Sequence, residues 1–142
     1  MGDEDAAVVT VRPLAAADET AWRRLWSGYL AFYETALPDE MVDLAFQRLL
    51  SDAPNEFQGR LALRGGEAVG LAHFLFHRHG WRVEPVVYLQ DLFVDPAHRG
   101  AGAGRAFFEA VSAVGYRGGA GFVYCITQYF TAPARRLYDR VG

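Results

Sequence analysis

At 142 residues the chain is the length of a single domain, and 51% apolar with 14% aromatic residues it carries enough hydrophobic material for one sizeable core, which excludes a disordered polypeptide. Its formal charge of −3 and pI near 5.8 lack the basic stripe that a nucleic-acid partner demands, and an acidic surface suits cationic substrates better. The one cysteine, Cys125, has no internal partner for a disulfide, and there is neither a signal peptide nor an uninterrupted apolar span, so the expectation is a cytoplasmic protein that does not engage a membrane.

Residues 1–7 are small and acidic, with nothing to pack, and read as a disordered tail ahead of one domain over residues 8–142. Val8 to Leu14 alternates as a first strand. Asp18, followed by Glu19, is placed to cap a helix whose apolar stripe runs through Trp22, Leu25, Trp26, Tyr29, Leu30 and Tyr33. Pro38-Asp39-Glu40 opens a second helix carrying Val42, Leu44, Ala45, Phe46, Leu49 and Leu50.

Phe57 to Arg64, the turn Gly65-Gly66 and Glu67 to His79 read as a hairpin. By the two-residue period His73, Leu75, His77 and His79 share one face of its second strand. A straight strand cannot converge three of those histidines on one ion, and no metal site is expected. After a turn at GWRVEP, Val86 to Val94 is the next strand. Asp95-Pro96 follows, then the turn Arg99-Gly100-Ala101-Gly102-Ala103-Gly104-Arg105, then a helix from Gly102 or Ala103 to about Tyr116 with Phe107, Phe108 and Val111 on its apolar face. A glycine-lined entry to a helix lets an anion approach unpaired backbone N–H groups at the positive end of the dipole. The implied ligand carries phosphates. Neither nucleotide-binding fingerprint fits: the glycines alternate instead of following GxGxxG, and Gly104 precedes Arg105-Ala106 where a Walker A loop needs Lys and Ser or Thr. The helix ends at Gly118-Gly119-Ala120-Gly121. Phe122 to Thr127 is then a short buried strand parallel to the one before, and Pro133 opens a last helix with Leu137, Tyr138 and Val141.

The string LFVDPAHRGAGAGRAF, from Leu92 to Phe107, resembles the acetyl-CoA pyrophosphate loop of the GNAT N-acetyltransferase superfamily, with Arg99, Gly102 and Gly104 filling its pattern. TAPARRLYDRVG, from Thr131 to Gly142, is similar to a second motif of that family. The resemblance covers the chain from about Val8 onward. It implies an α/β (α+β) fold: a mixed, mostly antiparallel central sheet, helices on both faces, and a splayed pair of parallel strands that seats the pantetheine arm.

It also implies the chemistry. Acetyl-CoA is the cosubstrate, held by Leu92, Phe93, Val94, Arg99, Gly100, Ala101, Gly102, Ala103, Gly104, Arg105, Thr131 and Tyr138. Backbone N–H groups near Phe93 or Val94, where the family's strand carries a bulge, polarise the thioester carbonyl, and Tyr138 protonates the departing thiolate. Tyr29, Tyr33, Glu34 and Asp91 line the acceptor pocket. The strand Tyr88-Leu89-Gln90-Asp91 is similar to the Tyr-Leu-Glu-Asp of the polyamine and diamine acetyltransferases, the spermidine/spermine type. Gln90 stands at that branch's base position and cannot take a proton, and simple alternation turns its neighbour Asp91 to the opposite side. The base is therefore left open among a water relay, Glu34 and His73. Thr131 replaces the usual asparagine. Related sequences continue beyond the position of Gly142, so the domain is expected to lack the usual final strand or strands. The reading is an acetyl-CoA-dependent N-acetyltransferase acting on a small-molecule or peptide amine, a polyamine or diamine first, by direct attack in a ternary complex, as a homodimer. The alternative is a non-catalytic acyl-CoA-binding domain.

Overall fold

A computed structural model describes residues 8–125. Five strands form one sheet in the order β1-β2-β3-β4-β5: β1 (Val9–Pro13), β2 (Gln58–Arg64), β3 (Glu67–His77), β4 (Val86–Val94) and β5 (Val123–Tyr124). The first four pair antiparallel, and β4 with β5 is parallel. Three α-helices cover it: α1 (Glu19–Phe32), α2 (Asp39–Leu49) and α3 (Ala103–Arg117). The fold class expected from the sequence is therefore the one observed. Among the described residues no helix is long and apolar enough to cross a membrane.

Most elements follow from local sequence. Gly65 and Gly66 both take positive φ, 60° and 82°, the backbone that a two-residue hairpin turn between Arg64 and Glu67 requires. The start of α1 differs from expectation. Asp18 stands at its N-cap position yet makes no side-chain cap bond, because a 3-10 turn over Ala16–Asp18 already runs into the helix. Its carboxylate instead reaches back to the Ala15 N–H at 2.8 Å and takes both nitrogens of Arg12, at 2.7 and 2.9 Å. The Arg12 hydrogen bonds hold the Asp18 carboxyl below the ordinary range. β3 ends at His77, two residues short of expectation; of the strand expected over Phe122 to Thr127, Val123 and Tyr124 form β5, half-buried, and residues 126–127 lie outside the described residues.

The two faces of the sheet bury separate cores. On one, Trp22 and Leu25 of α1 and Phe46 and Leu49 of α2 pack on Leu61, Leu71 and Phe93. On the other, Phe107 and Val111 of α3 pack on Ala62, Ala72, Phe74, Val87 and Leu89. Each fully buried side chain of this size contributes about 1.5–3 kcal/mol. Two bulges set which residues reach which face. Val69 has no partner on β2, since the register steps from Ala62↔Gly70 to Leu63↔Ala68; Gln90 has none on β3, since it steps from Phe74↔Leu89 to His73↔Asp91. Across the second bulge Leu89 and Leu92 both face α3, while Asp91 and Phe93 face α1.

Candidate active site

β4 ends against the glycine turn. Asp95 Oδ1 accepts the Ala97 N–H at 3.0 Å and starts the 3-10 turn Pro96–His98, with Pro96 supplying a preset φ. Arg99 leaves that turn extended, its Nε donating to the Val94 carbonyl at 3.2 Å and its guanidinium 5.9 Å from the Phe32 ring centre. Gly100 and Gly102 take φ of 87° and 92°, and nothing lies within 4 Å of the position a Cβ would occupy on either. Gly102 is the left-handed N-cap of α3, and its carbonyl accepts the first helical bond, from the Ala106 N–H at 3.0 Å. The N–H groups of Ala103, Gly104 and Arg105 precede that bond and have no acceptor within the helix. A bare cradle of this kind at a helix N-terminus fits the pyrophosphate of a CoA thioester. Arg105 pairs along the exposed helix with Glu109, at 3.1 Å.

Among the described residues β5 pairs with β4 at Val87↔Val123 and Tyr88↔Tyr124, and none pairs with the outer backbone edge of β4 beyond Tyr88. The Asp95 N–H points inward to the Val69 carbonyl at 2.8 Å. Alternation therefore turns Val94 outward, consistent with its carbonyl meeting Arg99, and puts the Phe93 amide on the β3 side. The strand's bulge sits at Gln90, upstream of the expected place near Phe93 or Val94. Leu92 and Val94 pack toward α3, and Phe93 is buried toward α1, edge-on to Tyr29 at 6.2 Å.

On the α1 face the bulge has the largest consequence. Asp91 shares that face with His73 and Phe93, while the bulge turns Leu89 to the α3 side. Asp91 Oδ2 lies 3.0 Å from His73 Nδ1, and its Oδ1 accepts the Tyr29 hydroxyl at 2.8 Å. Behind them the Trp22 indole N–H donates to His73 Nε2 at 3.0 Å; Trp22 is 0% and His73 2% exposed. Trp26 stacks on Tyr29 at 5.0 Å, Tyr33 sits 4.9 Å from Tyr29, and Trp26 and Phe57 flank His73 at 4.9 and 6.1 Å. Burial, reinforced by the Asp91 charge, pushes the Tyr29 phenol well above its ordinary pKa, and burial does the same more weakly to Tyr33. Both are neutral donors at physiological pH. The arrangement is an aromatic wall with one carboxylate in it, whose chemistry suits an ammonium group.

Of the acceptor residues expected from the sequence, Tyr29, Tyr33 and Asp91 converge. Glu34 does not join them: it is exposed just past the end of α1 with φ 56°. Gln90 is exposed on the bulge. Thr131 and Tyr138 lie outside the described residues. Trp22 was legible only as part of α1's stripe, and its bond to His73 spans 51 positions that no local pattern connects. His77 Nε2 and the Tyr124 hydroxyl, 2.6 Å apart, tie β3 to β5, with Tyr88 stacked on Tyr124 at 4.9 Å.

Known proteins share this chain's sequence pattern and fold. The chain is 36% identical over 136 residues to the D-amino-acid N-acetyltransferase HPA3 of Saccharomyces cerevisiae, covering 94% of this chain and 84% of the yeast protein. The aminoglycoside N-acetyltransferase AAC(6')-Iy, solved with CoA, superposes with a TM-score of 0.80 at 21% identity over 95% of this chain and 87% of that one. A ribosomal-protein-alanine N-acetyltransferase from Brucella melitensis biovar Abortus 2308 does so with a TM-score of 0.78 at 17% identity, over 95% and 91%. These two structures share the fold. Residues 22–142 match the model of the acetyltransferase (GNAT) family; with the glycine turn in place, the chain belongs to that family and is an acetyl-CoA-dependent N-acetyltransferase.

Proposed function

We propose that the protein moves the acetyl group of acetyl-CoA to the primary amine of a small amino-acid-like molecule, D-amino acids first, by direct attack in a ternary complex. The observation that carries this reading is the Asp91 carboxylate, held toward the α1 face by Tyr29 and His73 on a strand whose outer edge no described residue pairs beyond Tyr88. Two of its lone pairs hold those donors and two are left for the N–H groups of a substrate ammonium. Asp91 binds the ammonium and takes its proton, the part Gln90 cannot play. The outward Val94 amide polarises the thioester carbonyl, the N–H groups of Ala103 to Arg105 hold the pyrophosphate, and Tyr138 returns a proton to the thiolate.

The D-amino-acid class is supported by the yeast relative's activity at 36% identity. Polyamines stand behind it, since their case rests on the string Tyr88 to Asp91 and on net acidity. The test is thiol release from acetyl-CoA by the purified protein with paired D- and L-amino acids, diamines, polyamines and an aminoglycoside. Release with D-amino acids above their enantiomers is the expected result. Release with polyamines alone would reverse the substrate assignment, and none with any amine would sink the transfer reaction itself.

A further inference from the structure

We propose that Trp22 and His73 are positioning residues: the buried indole fixes the neutral Nδ1–H tautomer of His73, and that N–H clamps the Asp91 carboxylate in the orientation that receives the substrate amine. The inference rests on the reading of Asp91 given above. An indole nitrogen only donates, so at 3.0 Å from Trp22 the His73 Nε2 must present its lone pair. A neutral imidazole then carries its one proton on Nδ1, which faces Asp91 Oδ2 at 3.0 Å. A proton on Nε2 would set two donors against each other where Trp22 and His73 are shut off from water, so Nε2 is the acceptor of this pair.

The remaining groups around the ring supply no competing charge. Trp26 and Phe57 present rings, at 4.9 and 6.1 Å, and Asp91 is the one charged side chain bonded to it among the described residues. Tyr29 closes the carboxylate from the other oxygen. The clamp thus takes one arm from α1 and one from β3, and the Gln90 bulge brings Asp91 between them. The logic is that of a hydrogen-bonded relay in which each member sets the next one's orientation, with histidine holding a carboxylate instead of the reverse.

Two substitutions separate the ring's two contacts. In His73→Asn the amide nitrogen reaches the Nδ1 position, keeping a donor for Asp91 and losing Trp22; in His73→Gln the amide reaches the Nε2 position, keeping Trp22 and losing Asp91. Steady-state kinetics on the full chain should show His73→Asn retaining most of kcat, while His73→Gln loses about tenfold to a hundredfold with acetyl-CoA affinity unchanged. Long-range proton–nitrogen NMR on histidine-labelled protein should show His73 as the Nδ1–H tautomer, and Trp22→Phe should convert it to a mixture.

Equal losses in the two His73 variants, or an Nε2–H tautomer in the parent, would overturn the proposal. Asp91→Asn serves as the reference. Normal kcat in His73→Gln beside a crippled Asp91→Asn defeats the clamp alone, whereas normal kcat in Asp91→Asn defeats the reading of Asp91 as the amine site.

Discussion

The Tyr29 hydroxyl donates to Asp91 Oδ1 at 2.8 Å although 62 positions separate the two residues. One lies on the first helix and the other beside a bulge in the fourth strand, and their meeting turns an aromatic helix stripe into a wall around one carboxylate, the amine site proposed above.

Asp91→Asn keeps the size of the side chain and removes its charge, setting an amide N–H₂ against either the Tyr29 O–H or the His73 N–H. Turnover should fall by about 10²–10⁴-fold, the range for losing a positioned proton acceptor. Calorimetric titration should give an unchanged Kd for acetyl-CoA, since the glycine cradle is untouched. A parent-like kcat would remove Asp91 from the reaction.

Gly102 sits at φ 92° at the mouth of α3. Gly102→Glu forces an L side chain into that backbone at about 1–2 kcal/mol and adds a negative charge beside the pyrophosphate. Acetyl-CoA should bind at least about tenfold more weakly. Unchanged affinity would place the pyrophosphate elsewhere.

Gly70 holds β3 close to β4 and α3. A Cβ there would stand 2.8 Å from the Phe93 carbonyl oxygen and 3.0 Å from the Phe107 ring. Because the first contact is backbone, it cannot relax by a rotamer change. Gly70→Ala should destabilise by about 1–3 kcal/mol, read as a lower denaturant midpoint. A midpoint equal to the parent's would mean that the strand yields at no cost.

Tyr29 gives a pH signature. Its pKa is raised above the unfolded value of 10.0, first by burial and then by Asp91. Above about pH 10 the unfolded chain sheds this proton while the folded one keeps it, so stability is full below that pH and declines as pH rises beyond it. Tyr29→Phe should flatten part of the decline between pH 9 and 11 in urea melts. An identical slope would show that the phenol is not held protonated by the fold.

The glycine turn proposed to hold the cofactor was legible because it is local. Strand, Asp-Pro, glycine turn and helix follow one another from Leu92 to Phe107, and their backbone needs are written in residue type: positive φ at Gly100 and Gly102, a cap at Asp95. The amine half was legible only in pieces. Tyr29 and Tyr33 were visible as a helical stripe and Asp91 as a pocket residue by resemblance, but counting in twos along β4 places Leu89 on the face of Asp91 and Phe93. Leu89 faces α3 instead, because of a bulge whose extra residue, Gln90, carries no glycine or proline to betray it.

By itself, then, the sequence determined the order of the described elements, the glycine turn ahead of α3 and the family, because periodicity and turn chemistry act over a few residues. Only the tertiary structure decided that Asp91 points to α1, that Tyr29 and His73 hold it, and that Trp22 stands behind His73. Those facts depend on strand register and on which helix lies across which strand, and register is fixed by the packing of two cores at once, not by any short stretch of chain.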